Sequence, residues 1–221
     1  MIVNEIFESF HGEITGHHQG RMATFIRLAG CSLRCLYCDT RYAQDPSAGE
    51  NLIIREILNK VEKLGNKYIC LTGGEPLIHE DVELLLWYLW HEGYKISVET
   101  NGTVDTTPFH RYVESFVIDY KLPGISPNCT MIENNYNFRK GQDVLKFVIQ
   151  SEGEFYTALK ILKNLKKKYQ VLNDPESLIA FSPCNSGSND FSSSDLAELL
   201  LKEKVHNALI SLQIHKIINF K

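Results

Sequence analysis

Nowhere in the 221 residues is there an apolar run long enough to cross a membrane. Positive charge is not in excess either. The 23 Lys and Arg stand against 27 Asp and Glu, a formal net charge of −4, so the electrostatic footprint of a nucleic-acid binder is missing. The start, Met1-Ile2-Val3-Asn4-Glu5, has neither the basic residues nor the apolar stretch of a secretory signal. Six cysteines without a framework spacing exclude a secreted, disulfide-stapled scaffold, and the expected compartment is the cytoplasm. What is present is ordinary for a soluble globular protein, 43% hydrophobic and 23% charged. The length fits a single domain, taken as residues 1–221.

Half of the cysteines are crowded together. Cys31, Cys35 and Cys38 are spaced Cys-x3-Cys-x2-Cys, with Tyr37 just before the third. Three thiolates this close reach one metal centre without help from the rest of the fold. Structural zinc usually takes four protein ligands, and a 4Fe-4S cluster is normally held by four thiolates. A cluster on three cysteines therefore leaves one iron open to a small molecule. The bland alternative is that Cys35 and Cys38 form half of a zinc knuckle, completed by Cys70, Cys129, Cys184 or a histidine. None of those three cysteines lies in a second Cys-x2-Cys pair, which argues for the cluster.

Around that loop the pattern alternates. Strands are expected at 3–7, 23–29, 68–72, 95–99, 116–120, 143–150, 178–181 and 208–213, and helices at 52–64, 81–92, 155–169 and 195–206. Residues 101–115 and 121–142 read as loops. Near-continuous apolar strands alternating with helices imply a parallel sheet covered on both faces. Seven strands after residue 22 with only four helices imply an α/β fold, an incomplete TIM-like barrel of parallel strands. Nearly every polar motif follows a strand, which is the rim where such folds build their sites. The lysines 160, 163, 166, 167 and 168 fall on a helical pattern and read as a solvated face.

Several residues carry two readings. Arg27 lies in an apolar strand, where a guanidinium needs an anion; it is either a structural salt bridge or the receptor for a substrate carboxylate. Gly73-Gly74-Glu75-Pro76 is a tight turn or a place where a ligand approaches the main chain. Glu99 and Asp119, both at strand ends, either accept from a ligand or cap their loops, and Lys121 either meets a ligand carboxylate or neutralises Asp119. Thr40 offers a hard oxygen suited to Mg2+, or N-caps the next segment. Residues 82–90 are apolar on nearly every face, as expected of a core helix, with a homodimer contact as the second reading. His17 and His18 read as a loop tip.

The cysteine spacing with Tyr37, together with the Gly73–Pro76 turn, resembles the radical S-adenosylmethionine (SAM) superfamily. Phe7-x-Ser9-Phe10-His11-Gly12-Glu13, Gly20-Arg21, Phe25-x-Arg27, Cys38-Asp39-Thr40, Thr72–Pro76, Glu99–Gly102 and the tail Gln213-x-His215-Lys216-x-x-Asn219 are similar to the 7-carboxy-7-deazaguanine synthase family. That resemblance implies 6-carboxy-5,6,7,8-tetrahydropterin as substrate, with a 4Fe-4S cluster, SAM and Mg2+ as cofactors and an electron donor such as flavodoxin or ferredoxin as partner. It implies that Phe10, His11, Gly12, Glu13, Arg27, Thr72 and the terminal carboxylate on Lys221 meet the pterin. It places Tyr37, Asp39, Gly74, Glu99, Asp119, Lys121, Ser182 and Asn185 against SAM, and Thr40 on Mg2+. His11 stands where the family usually has Gln, and Asn185 where it has Asp. A radical SAM activase acting on a partner protein, and a non-catalytic zinc or iron–sulfur module, are the competing readings.

Overall fold

The computed structural model describes residues 1–16, 19–127, 129–184 and 191–220; His17 and His18 lie outside them. In chain order the elements are β1 (Ile2–Phe10), β2 (Met22–Leu28), β3 (Glu50–Asn51), α1 (Ile54–Leu64), β4 (Tyr68–Gly73), α2 (Val82–His91) and β5 (Lys95–Thr100). Then come β6 (Ser115–Tyr120), β7 (Val144–Ile149), α3 (Glu152–Lys168), β8 (Leu178–Pro183), α4 (Ser193–Lys202), β9 (Ala208–Ile210) and α5 (Ile214–Ile217). Among the described residues all nine strands form one sheet in the order β3-β1-β2-β4-β5-β6-β7-β8-β9. From β2 onward every neighbour is parallel, while β1 and β3 run antiparallel at one edge. The two edge strands β3 and β9 do not pair with each other. The sheet is the partial barrel that the alternation implies.

Successive side chains on a strand point to opposite faces, and this chain uses the two faces differently. On the convex face Ile26, Leu71, Val98, Ile118, Phe147 and Phe181 join Leu85 and Leu89 of α2, Phe155 and Leu162 of α3, and Leu196 of α4 in one continuous core. On the concave face the apolar share is small: Ala23, Phe25 and Cys70 in one patch, Val117, Val144 and Ala180 in another. The remaining inward positions carry Arg27, Thr72, Glu99, Asp119, Lys146 and Ser182, which line a cavity. The curl of the sheet is visible in Glu13. Its carboxylate meets Lys146 on β7 and also Ser211 and Gln213 beyond β9, so the loop after β1 crosses the concave face.

Element ends differ from the sequence expectation where side chains cap. Helix α3 begins three residues early because the Ser151 hydroxyl accepts from the Glu154 N–H at 3.3 Å. Ser192 and Asp195 form a reciprocal capping box that starts α4 at Ser193. Strand β1 is longer than expected, since Glu5 and Glu8 interrupt its apolar pattern; Glu5 lies opposite Arg27 in the ladder. Gly65 ends α1 in the left-handed region at φ 73°, as its position predicts. Helix α2 buries Val82, Leu85, Leu86 and Leu89 and leaves Leu84, Tyr88 and Trp90 exposed. The lysines of α3 lie on a largely exposed face, as expected. Among the described residues no helix is long and apolar enough to cross a membrane.

Candidate active site

The cysteine loop leaves the carboxyl end of β2 and is closed at its neck by main-chain bonds. Gly30 N donates to Ala43 O at 2.9 Å and Cys31 N to Gln44 O at 3.2 Å. The turn after β4 is stitched to the same neck, with Gly74 N donating to Leu28 O at 3.0 Å and Glu75 N to Gly30 O at 2.8 Å. On its other side the loop leans on the segment after β6, through Leu36 N to Ile125 O at 3.1 Å and Arg34 N to Ser126 Oγ at 3.0 Å. Three strand ends thus fix where the three sulfurs sit. All three cysteines are partly exposed and unbridged, and all border one cavity of about 400 Å³ on the concave face of the sheet.

That cavity has two chemically different ends. Near the cysteines, Lys121 Nζ pairs with Asp119 Oδ2 at 2.7 Å and lies 5.4 Å from the centre of the Tyr37 ring. Burial works against the Lys121 ammonium, yet the charges of Asp119 and Cys35 hold its proton above the usual lysine range. The Tyr37 hydroxyl and Asp119 Oδ1 are buried with no hydrogen-bond partner among the described residues. Burial, then Asp119, raises the Tyr37 phenol, so it stays a donor. Burial also pushes the Cys35 thiol up to about 11, which leaves a bound metal to supply the charge that makes it a thiolate.

At the far end the groups are ionic and interlocked. Arg27 Nε meets Glu5 Oε1 at 2.9 Å, and among the described residues its two terminal nitrogens have no hydrogen-bond partner. Thr72 Oγ1 donates to Glu99 Oε2 at 2.8 Å. Lys146 Nζ meets Glu13 Oε1 at 2.6 Å, with both side chains under 10% exposed. Burial raises the Glu13 carboxyl, but Lys146, Gln213 and Ser211 outweigh it and bring it below the usual range. Glu99 goes the other way, raised by burial and by the neighbouring Glu13 charge. At the mouth, Lys216 of α5 meets Asp39 Oδ2 at 2.5 Å, and Asp39, against the opposing effect of burial, is lowered to about 2.

Most of the residues singled out in the sequence line this cavity. Cys31, Cys35, Tyr37, Cys38, Asp39 and Thr40 come from the cysteine loop; Gly74, Asp119, Lys121 and Ser182 from strand ends beside it; Gly12, Glu13, Arg27, Thr72 and Glu99 from the far end. Glu99, expected near SAM, stands with Thr72, Arg27 and Glu13. Phe10 and His11 lie off the cavity wall: Phe10 meets the Phe220 ring edge-on, and His11 is fully buried with Nε2 3.5 Å from Ser97 Oγ. Asn185 and Lys221 lie outside the described residues. Thr40 does cap the short turn Arg41–Ala43, but with its main chain; its hydroxyl donates to Asp39 Oδ1 at 2.8 Å. Lys146 escaped the sequence reading although it gave the same signal as Arg27, a cation in an otherwise apolar strand. Asn101, Gln213 and His215, which the resemblance includes without giving them a role, also reach the wall, as does Glu5, which nothing local in the sequence marked.

The donor set fits a cluster carrying a small-molecule ligand. Among the described residues no three His, Cys, Asp or Glu side chains converge as the ligands of one ion would; thiolates on separate irons of a cluster stand farther apart. The Tyr37 hydroxyl and Asp119 Oδ1, unpartnered among the described residues, are a buried donor and acceptor that polar atoms of such a ligand would satisfy. Gly74 leaves the main chain bare there for a reason the structure makes plain. A Cβ at this position would strike the Gly30 carbonyl oxygen and come within 2.9 Å of Ala43 O, both in the neck of the cysteine loop. Gly74→Ala should therefore cut iron bound per chain after anaerobic reconstitution to about half or less, because backbone rather than a flexible side chain has to move. Gly153→Ala, whose Cβ would meet only the Ser151 hydroxyl at 3.9 Å, should load iron as the parent does.

The chain matches the model of the radical SAM superfamily over residues 25–174. It is 35% identical over 222 residues to a protein named 7-carboxy-7-deazaguanine synthase from Clostridium acetobutylicum, covering 98% of this chain and 95% of that one. A protein of the same name from Leptospira interrogans is 38% identical over 184 residues, covering 73% of this chain and 76% of the relative. Among solved structures, TYW1 with a lysine–pyruvate adduct superimposes with a TM-score of 0.59 at 13% identity, over 89% of this chain and 76% of that one. SuiB from Streptococcus suis bound to S-adenosylmethionine gives a TM-score of 0.54 at 13% identity over 84% of this chain. The chain spans about half of SuiB, 48% of its length, and these two likenesses bear on the fold alone. With a matching family model and a relative similar from end to end, this chain belongs to the radical SAM superfamily and, within it, to the 7-carboxy-7-deazaguanine synthase family.

Proposed function

We propose that this chain, acting as one domain in the cytoplasm, converts 6-carboxy-5,6,7,8-tetrahydropterin to 7-carboxy-7-deazaguanine with loss of ammonia. The observation that carries the reading is a single cavity joining three thiols at one end to an under-used guanidinium at the other. When bound at Cys31, Cys35 and Cys38, the 4Fe-4S cluster with SAM supplies a carbon-centred radical on receipt of one electron. The protein's part is to place the pterin against that source and to keep water away.

Arg27 has two terminal nitrogens to offer, and they suit the substrate carboxylate in a bidentate bond. Glu5 holds the guanidinium plane from behind at 2.9 Å, which fixes its direction before substrate arrives. Glu99, Thr72 and Glu13 present two carboxylates and a hydroxyl, the acceptors that the N–H-rich edge of a pterin needs. Lys146 neutralises Glu13, so the wall does not repel electron-rich substrate atoms. Gly12 leaves room for the His215 ring, which a Cβ would strike. The terminal carboxylate on Lys221 is a further proposed contact.

At the other end Tyr37, Asp39, Gly74, Asp119, Lys121, Ser182 and Asn185 are the proposed SAM contacts. The paired Lys121 and Asp119 give one group of each sign, as the carboxylate and ammonium of an amino-acid tail require. Thr40, its hydroxyl oriented by Asp39, is the proposed protein ligand to Mg2+. A flavodoxin or ferredoxin is the proposed electron source. The test is direct: incubate reconstituted protein anaerobically with SAM, a reductant and the carboxypterin, and follow deazaguanine and ammonia. We expect both in equal amounts, several turnovers per chain. SAM cleavage that requires a protein partner, with no deazaguanine formed, would overturn the reading in favour of an activase.

A further inference from the structure

We infer that Asn101 is a positioning residue for the cluster: its side-chain amide donates a hydrogen bond to the Cys31 sulfur and so sets the cluster's reduction potential. The inference rests on Cys31 being a cluster ligand. Asn101 Nδ2 lies 3.7 Å from Cys31 Sγ, within the reach of an N–H···S bond. Which end of the amide faces the sulfur follows from the other end. Oδ1 accepts from the Thr103 N–H at 3.0 Å and from the Thr103 hydroxyl at 2.7 Å. Turning the amide over would set its NH2 against the Thr103 N–H, a donor that cannot reverse. The nitrogen is therefore committed to sulfur.

The residue is also held from behind. Asn101 N donates to Glu75 Oε2 at 2.6 Å, while Glu75 Oε1 accepts from Thr100 Oγ1 at 2.9 Å and from Leu77 N at 3.1 Å. Glu75 has no exposed surface and Asn101 is 7% exposed. Gly102 follows at φ 77°, where the chain reverses, and Asn135 Nδ2 ties down its carbonyl at 3.1 Å. These contacts give Glu75, whose carboxylate is otherwise unexplained, a purpose: it fixes the strand end that carries the amide. Among the described residues no other side chain donates to the sulfur of Cys31, Cys35 or Cys38.

Reduction adds one electron to the cluster and with it negative charge on the ligand sulfurs. A donor aimed at one of them stabilises the reduced form more than the oxidised form and raises the potential. Hydrogen bonds to charged acceptors are worth about one decade in an equilibrium constant. The experiment is an EPR-monitored redox titration of reconstituted protein without SAM, beside iron and sulfide analysis. For Asn101→Ala we expect iron content as in the parent and a more negative midpoint. The ratio of reduced to oxidised cluster at fixed potential should fall about tenfold, which for a one-electron couple is a shift of about 59 mV. Thr103→Val removes one of the two donors that orient the amide and should shift the midpoint in the same direction by less. An unchanged midpoint in fully loaded Asn101→Ala overturns the inference. Should that variant fail to take up iron, Thr103→Val, which keeps Asn101 but frees its amide from the hydroxyl, decides the matter on the same titration: a more negative midpoint supports the inference and an unchanged one overturns it. Parent protein that takes up no iron would remove the cluster reading itself, a separate outcome from an unchanged potential.

Discussion

Arg27→Ala is expected to lower kcat/KM for the carboxypterin by about a hundredfold or more, because cutting one partner out of a buried, hydrogen-bonded charge pair costs about 2–5 kcal/mol. The loss should appear mostly in KM, with cluster content and the slow cleavage of SAM in the absence of pterin close to the parent. That split separates a substrate contact from a general collapse of the site. Arg27 is 15% exposed at its side chain and its partner Glu5 is 19% exposed, so the variant strands a carboxylate that still touches water. A drop of a few degrees in melting temperature should accompany it, too small to account for the kinetic loss. Arg27→Lys keeps the charge but not the fork, and should recover only a small part of the affinity. Normal turnover by Arg27→Ala would leave Arg27 as nothing more than the structural partner of Glu5.

How much of this was legible in the sequence depends on what kind of contact makes each feature. The seven parallel strands and four main helices could be read because each is a local run whose apolar period the fold respects; the convex core uses the very residues that gave the period. The same period stops short of the full β1, since Glu5 and Glu8 break it and Glu5 finds its reason only when β2 sets Arg27 opposite. The cysteine loop was legible because its three ligands are neighbours in sequence. Asn101 was not, because its meaning depends on Cys31, 70 residues away, and on Thr103 fixing the amide. Glu13 shows the limit most clearly. Its partners are Lys146 on β7 and Ser211 and Gln213 in the segment just beyond β9, far from it in sequence, so no local pattern announces them.

That buried pair sets up the second large effect. Lys146→Met replaces the ammonium with an apolar chain of similar length and leaves the Glu13 carboxylate without a counter-charge, keeping only Ser211 and Gln213 as donors. Breaking a buried pair from one side costs about 3–5 kcal/mol. In a domain of this size each kcal/mol moves the melting temperature by about 2–4 °C, so the cofactor-free variant should melt roughly 10 °C below the parent. The pH dependence carries the diagnosis. In the parent the Glu13 carboxyl sits below its ordinary value of 4.5, so its contribution is present above that pH and is lost only as the pH falls through the lowered value. In Lys146→Met burial outweighs the two hydrogen bonds that remain, from Gln213 and Ser211, and raises the carboxyl. The sign reverses, and stability is lost as the pH climbs from mildly acid to mildly alkaline. Adding Glu13→Gln removes the stranded charge and should recover more than half of the deficit and abolish its pH dependence, although turnover stays low. Melting curves of the single and double variants across that pH range check the argument: a deficit that is the same at every pH would mean that Lys146 serves packing rather than charge.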